Sequence, residues 1–407
     1  MTVLTKNKRL TSLLCALSSC ILPTFIQAKP VPDNYVLVAP KCLLKASDIH
    51  YQSLYTLDQL SLIKTDEQGF NQLIAAKTKQ KTACGGFINV TDTWKTLSTK
   101  EAKPFLRKYA QPYPFSTQDT SSYAINYPKE VNQLLTSLNP QTMWGNLTTL
   151  SSFHDRYANS DTGVKTAYWI KDQVENMAKI NNRDDVTAYF IETGHYYKQP
   201  SLIVKIGNSN LPGIVVGGHM DTLHAAFGNM PGADDDGSGS VTVLELARIL
   251  LSSHMHFKKP IYLIWYSAEE MGLVGSQYVV TEFIKQNIPI EEVIHFDMTG
   301  YAPHNDPTMW LMTDYTSKEL TNYLATLINT YIKKPINYSA CGYACSDHAI
   351  WTQHGYKAAI AFESKMGSDN PYIHSSEDTM SALSLDHMTD FAKLAVAFTV
   401  ELAEPIG

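Results

Sequence analysis

The sequence lacks a Gly-x-Ser-x-Gly turn set beside an acid and a histidine in hydrolase order, a Gly-rich loop of the P-loop kind, and a His-Glu-x-x-His. These absences exclude the serine-hydrolase elbow, P-loop phosphate chemistry and a single-zinc protease of the helical-motif type. It also lacks surplus positive charge: Lys+Arg 33 against Asp+Glu 39 gives a net charge of -6, which offers no basic surface to nucleic acid. No internal repeat or low-complexity tract interrupts it, and hydrophobic content of 44% with 18% charged residues describes a globular chain.

Cysteine is scarce, and two of the six, Cys15 and Cys20, fall in the N-terminal apolar stretch. Lys6, Lys8 and Arg9 precede an apolar run over residues 10–25, and Ala28 stands before Lys29-Pro30-Val31-Pro32, the layout of a secretory signal peptide cleaved near Ala28. The run is short for a span of ~20 residues, so export is expected without stable membrane insertion. The destination is extracellular, through the periplasm if the cell is Gram-negative. Export permits disulfides. Among the three possible pairings of the remaining cysteines, proximity favours Cys42 with Cys84 and Cys341 with Cys345, the second stiffening the turn Gly342-Tyr343-Ala344.

A chain of 407 residues exceeds one ordinary core, so two units are expected after the leader. Residues 1–28 are expected to be the signal peptide, residues 29–126 an N-terminal region without a cluster of metal ligands, and residues 127–407 the main domain. Gln111-Pro112-Tyr113-Pro114 and the polar residues 116–122 read as a linker open to a processing protease. Beyond residue 128, helical periodicity over 166–178, 239–251, 274–285, 318–332 and 385–402 alternates with apolar strands at 186–191, 202–206, 214–216, 261–265, 293–296, 309–312 and 358–362. This predicts an α/β fold with a mostly parallel mixed sheet flanked by helices on both faces.

Acids and histidines fall at the ends of those strands. Residues 214–216 run into Gly217-Gly218-His219-Met220-Asp221, the loop before the next helix holds Asp234-Asp235-Asp236, residues 261–265 end in Glu269-Glu270, and residues 293–296 end in Asp297. Ligands bind beyond the carboxyl ends of strands in such sheets. So many negative charges in one place require cations, and mixed imidazole and carboxylate donors suit zinc or a neighbouring first-row metal. Asp221 is placed to accept the second ring N–H of His219, and Glu269-Glu270 invites a division in which one carboxylate binds metal and its neighbour handles protons. His254 and His256 fall in a connector after a helix and read as exposed, and His195 and His304 lack a neighbouring acid at a strand end.

At these motifs the chain resembles the secreted bacterial leucyl aminopeptidase family of co-catalytic dizinc exopeptidases. Gly-Gly-His-Met-Asp, Pro-Gly-Ala-Asp-Asp-Asp, Ala-Glu-Glu-Met-Gly-Leu-Val-Gly-Ser, Asp-Met-Thr, Cys-Gly-Tyr-Ala-Cys-Ser-Asp-His and Phe-Glu-Ser-Lys occur in family order from about residue 127 to the C-terminus. The resemblance implies two zinc ions bridged by Asp235, one completed by Glu270 and His374 and the other by His219 and Asp297. It further implies a cis peptide between Asp235 and Asp236, Asp221 orienting His219, and hydrolysis of the first residue from peptides with a free N-terminus by a water shared between the metals. In that scheme Glu269 is the general base and Tyr343 binds the carbonyl oxygen. By alignment the first-residue pocket is formed by Met298, Met312, Ile360, Phe362, Met366 and Ile373, a setting for Leu-like side chains. Asp369 departs from the family's large aromatic there, which opens a preference for Lys or Arg. An N-terminal propeptide is expected to inhibit the domain. The alternatives within the same fold are a single-zinc glutaminyl cyclotransferase and a metal-free binding ectodomain.

Overall fold

Runs such as Ile261-Tyr262-Leu263-Ile264-Trp265 form strands because β-branched and aromatic side chains pack on a pleated sheet, and covering both of its faces buries every residue in the run. The computed structural model describes residues 29–79, 85–110, 123–225 and 227–406. The expected signal peptide, Cys84 and hence the Cys42–Cys84 pairing, and the linker through residue 122 lie outside them.

In chain order the strands are β1 Tyr35–Pro40, β2 Gln52–Leu57, β3 Leu60–Thr65, β4 Ile88–Asn89, β5 Val186–Ile191, β6 Ser201–Ile206, β7 Gly213–His219, β8 His256–Phe257, β9 Ile261–Tyr266, β10 Ile290–Phe296, β11 Met309–Met312, β12 Ile336–Ser339, β13 Lys357–Phe362 and β14 Pro405–Ile406. The large sheet has eight strands in the order β12-β11-β13-β10-β7-β9-β6-β5. Its centre, from β13 through β10 and β7 to β9, is parallel, while β6 and β5 are antiparallel additions at one side and β11 runs against β13. In the parallel register His219 lies opposite Tyr266 and Gly217 opposite His295, so β7, β9 and β10 release their chains at one edge. Helices Asp161–Ile180, Gly239–Ser252 and Leu385–Ala403 contribute to the apolar cluster on one face, and helix Val274–Lys285 to that on the other. The expected α/β architecture is therefore the observed one.

Several elements go beyond the sequence reading. Helices Pro128–Leu135 and Pro140–Ser151 each begin with proline at the first turn, where no backbone donor is needed. The helix expected over 318–332 is regular only as Lys318–Leu327 and then widens over Ile328–Ile332. The N-terminal region folds as an antiparallel sheet, β2-β3-β1-β4. Among the described residues, its apolar side chains do not form a core of their own. Leu37, Leu43, Ile63 and Phe87 pack in one cluster with Leu223, Ala268 and Met271, and Val36, Val38 and Leu62 share another with Val215, Tyr262 and Ile264. Asn89 adds polar ties: its N–H donates to Gly272 O at 3.0 Å and its amide to the Tyr197 hydroxyl at 3.2 Å. No helix among the described residues is long and apolar enough to cross a membrane.

Because the clusters are shared, Leu37→Ala, at a site 0% exposed, is expected to cost about 2–5 kcal/mol and to lower a single unfolding transition for both regions. Calorimetric melting checks this; a catalytic region that melts unchanged in a separate step would contradict it.

Candidate metal centre

The site is built where the parallel strands end. β7 terminates on His219 with Asp221 just beyond, Glu269 and Glu270 follow β9, Asp297 follows β10, and His374 comes from the loop after β13. His219, Asp221, Asp235, Glu269, Glu270 and Asp297 are all buried. Gly218 makes this convergence possible, since a Cβ there would lie 2.9 Å from Phe296 O and 3.1 Å from Asp236 Oδ2. Ala268, Met298 and His374 have φ of 52°, 56° and 59°, left-handed conformations that cost a non-glycine residue about 1 kcal/mol or more each. The surrounding packing must supply that energy.

Asp235 lies between two imidazoles. Its Oδ1 is 3.0 Å from His219 Nε2 and its Oδ2 is 3.0 Å from His374 Nε2. His219 Nε2 is also 3.6 Å from Asp297 Oδ1, and His374 Nε2 is 3.1 Å from Glu270 Oε2. Two trios result, His219–Asp235–Asp297 and Asp235–Glu270–His374, each with donor atoms within 4.8 Å of one another. Asp297 Oδ1 is buried and accepts no hydrogen bond. An imidazole, a shared carboxylate and a second carboxylate on each side form a donor set that fits a divalent cation, and the orphaned oxygen fits it too.

The electrostatics describe a site waiting for positive charge. Burial depresses the His219 imidazole, but Asp297, Asp221 and Asp235 outweigh it and push its pKa well above the ordinary range. Burial acts likewise on His374, which Glu270 and Asp235 raise to about 10. Burial alone would raise Asp235, yet the two imidazoles hold it well below the usual carboxylate range.

Other acids hold the backbone rather than face the centre. Across the cis peptide from Asp235, Asp236 accepts the N–H of His219 at 3.0 Å through Oδ2, and those of Gly239 at 2.8 Å and Met298 at 3.1 Å through Oδ1. Asp221 accepts the N–H groups of Glu269 and Glu270 at 3.0 and 3.3 Å, and its Oδ1 is 3.4 Å from His219 Nδ1. Asp378, raised to about 8 chiefly by burial, accepts the N–H groups of Asp234 and Asp235 at 3.0 and 3.1 Å. Asn370 bridges Asp234 Oδ2 and Asp378 Oδ1. Neither Asp378 nor Asn370 was singled out from sequence, because both lie in polar loop segments with the look of solvated turns. Arg156, fully buried near the same acids, had no sequence signal either.

Beside the centre, Met298, Met312, Ile360 and Phe362 form a buried cluster with Met366, Ile373 and Tyr343 packed against it. The Cys341–Cys345 disulfide, with Cα atoms 6.0 Å apart, holds the turn that carries Tyr343. Asp369 is half-buried, and its Oδ1 accepts the N–H of Gly367 at 2.7 Å within its own turn. His195, His254, His256 and His304 are exposed and outside the site.

A twisted α/β sheet that gathers imidazoles and carboxylates at its parallel strand ends defines a metal-dependent hydrolase as the class. The model of peptidase family M28 matches residues 201–399. Leucine aminopeptidase 1 of Emericella nidulans is 38% identical over 307 residues, 71% of this chain and 78% of the relative. The LapA aminopeptidase structure of Legionella pneumophila superposes with a TM-score of 0.86 at 44% identity, covering 93% of this chain and 100% of that one. LapB of the same organism gives 0.83 at 37% identity, covering 91% and 100%. The chain belongs to peptidase family M28 and is a metallo-aminopeptidase.

Metal donors must be neutral imidazole and carboxylate, so protons compete with the cation. With both imidazoles raised, filling the two trios at pH 7 is expected to release about two protons per chain, and affinity is expected to rise with pH. The dependence of calorimetric binding enthalpy on buffer ionisation measures this; uptake without proton release would contradict it.

Proposed function

We propose that the chain is an exported zinc aminopeptidase that removes the first residue from peptides with a free N-terminus, holding one zinc with His219, Asp235 and Asp297 and a second with Asp235, Glu270 and His374. The observation that carries this reading is Asp235, each of whose carboxylate oxygens faces a different imidazole at 3.0 Å. Bound there, the cations supply Lewis acidity toward the scissile carbonyl and acidify the attacking water. Glu270 is turned to His374, which leaves its neighbour Glu269 as the general base. Glu269 takes a proton from the attacking water and passes it to the leaving amine. Asp221 positions both by holding the N–H groups of their turn, and it sits beside Nδ1 of His219. Tyr343 donates its hydroxyl to the carbonyl oxygen, and Asp297 receives the substrate's α-amino group.

The apolar cluster beside Asp297 receives the first side chain, and its three methionines accommodate Leu-like groups. Asp369, whose Oδ1 accepts the N–H of Gly367 in its own turn, is the acid that would pair with a Lys or Arg side chain in the alternative preference. Two trios rather than one argue against a single-zinc cyclotransferase, and an intact donor set argues against a metal-free binding ectodomain. Export rests on the leader in residues 1–28.

The region 29–126 acts as an inhibitory propeptide in this reading. Gly86 and Phe87 share a narrow crevice with Glu269, Glu270 and Tyr343. The Gly85 backbone lies so close to Tyr343 that a Cβ would be 2.3 Å from its ring.

Glu269→Gln is expected to lower kcat by about 10²–10⁴-fold with zinc content unchanged; near-wild-type turnover would remove Glu269 as the base. Turnover of leucyl against lysyl and arginyl chromogenic amides in wild type and Asp369→Ala separates the two preferences. Selective loss of basic substrates assigns Asp369 to recognition, and equal basic activity in both proteins removes that role. Cleavage by an added protease within residues 111–127 is expected to raise activity, whereas unchanged turnover after clean cutting indicates a folding aid or spacer.

A further inference from the structure

Arg156 is fully buried, and among the described residues its guanidinium bonds only to backbone carbonyls. Nε donates to Met220 O at 2.9 Å. Nη1 donates to Pro231 O at 2.5 Å and Leu150 O at 3.4 Å, and Nη2 to Gly232 O at 2.7 Å. Met220 stands between His219 and Asp221, while Pro231 and Gly232 lead directly into Asp234 and Asp235. One planar fork therefore ties the segment carrying His219 to the segment carrying Asp235. Gly232 is left-handed at φ 50°, and a Cβ there would fall 2.3 Å from Thr222 Cγ2, 2.6 Å from Asp235 O and 2.8 Å from Nη2, so the turn is packed closely against the Thr222 segment and the guanidinium. The main-chain N–H of Arg156 donates to Thr222 Oγ1 at 3.0 Å, which fixes the base of the side chain against the same segment.

A buried guanidinium without a bonded carboxylate is costly unless negative charge is near. Here Asp378, Asp236, Asp235 and Asp221 surround it at longer range. We propose that Arg156 is a positioning residue of the centre: its guanidinium sets the separation of His219 and Asp235, and its fixed charge offsets the repulsion among acids that must stand together before metal arrives. The inference rests on the two-zinc reading. Arginine suits this task because five donors in one plane can hold several carbonyls, whereas a lysine ammonium keeps the charge but loses the fork.

The test uses full-length chain stripped of metal, with zinc affinity measured by chelator competition for wild type, Arg156→Lys and Arg156→Met. Apoprotein melting serves as the folding control. Arg156→Lys is expected to bind zinc about tenfold more weakly and Arg156→Met up to about 100-fold more weakly. At saturating zinc, kcat is expected to fall by at least about tenfold with KM within about threefold. Affinities and kcat within twofold of wild type, or lowered melting temperature alone, would overturn the proposal. Wild type that binds no zinc would instead defeat the two-zinc reading itself. If Arg156→Met does not fold, Arg156→Lys decides the matter, because it keeps both charge and stem.

Discussion

Everything in this centre follows from the position of one carboxylate between two imidazoles. Asp235 can face His219 and His374 at once only because the chain reaches it from opposite sides, His219 from a central strand and His374 from a distant loop. Glu270 and Asp297 then bring further negative charge to the flanks. Packed in a low-dielectric interior, those acids repel strongly. The same acids raise the proton affinity of both imidazoles, and a divalent cation held between them would relieve the repulsion.

The scaffold is arranged to keep that unfavourable cluster in place. Asp236, Asp221 and Asp378 face backbone rather than the centre: Asp236 takes N–H groups from the segments of His219 and Met298, while Asp221 holds the turn of Glu269 and Glu270 and Asp378 that of Asp234 and Asp235. Carboxylates used this way are both satisfied and directional, so the segments carrying the donors are fixed relative to one another. The residues with positive φ at Ala268, Met298 and His374 show where the backbone gives way to meet this geometry. Neighbouring apolar clusters, including those shared with the N-terminal sheet, resist relaxation of that strain.

The four central parallel strands were legible because each is a short apolar run, with an acid or a histidine at its end or within the next few residues, and the helices because their periodicity is strong. A strand end is also where the fold places ligands, which is why His219, Glu270 and Asp297 stand out as a group in the sequence. Other features carry no such local mark. Arg156 sits in an ordinary polar connector, and Asp378 and Asn370 lie in loops whose residues are those of solvated turns. Their roles depend on segments more than 60 residues away. β2 and β12 at sheet edges are partly exposed and polar, so their patterns match neither a buried strand nor a helix. The N-terminal region was hardest to read because its strands bury one face against another part of the chain, and their partners are invisible to a local pattern.

Whether two cations share Asp235 decides the chemistry of this centre. Diffraction from zinc-loaded crystals on both sides of the zinc absorption edge locates them directly. Two anomalous peaks are expected, one contacted by His219 and Asp297, the other by Glu270 and His374, with one oxygen of Asp235 on each. A single peak, or peaks away from Asp235 in a fully active preparation, would contradict that sharing.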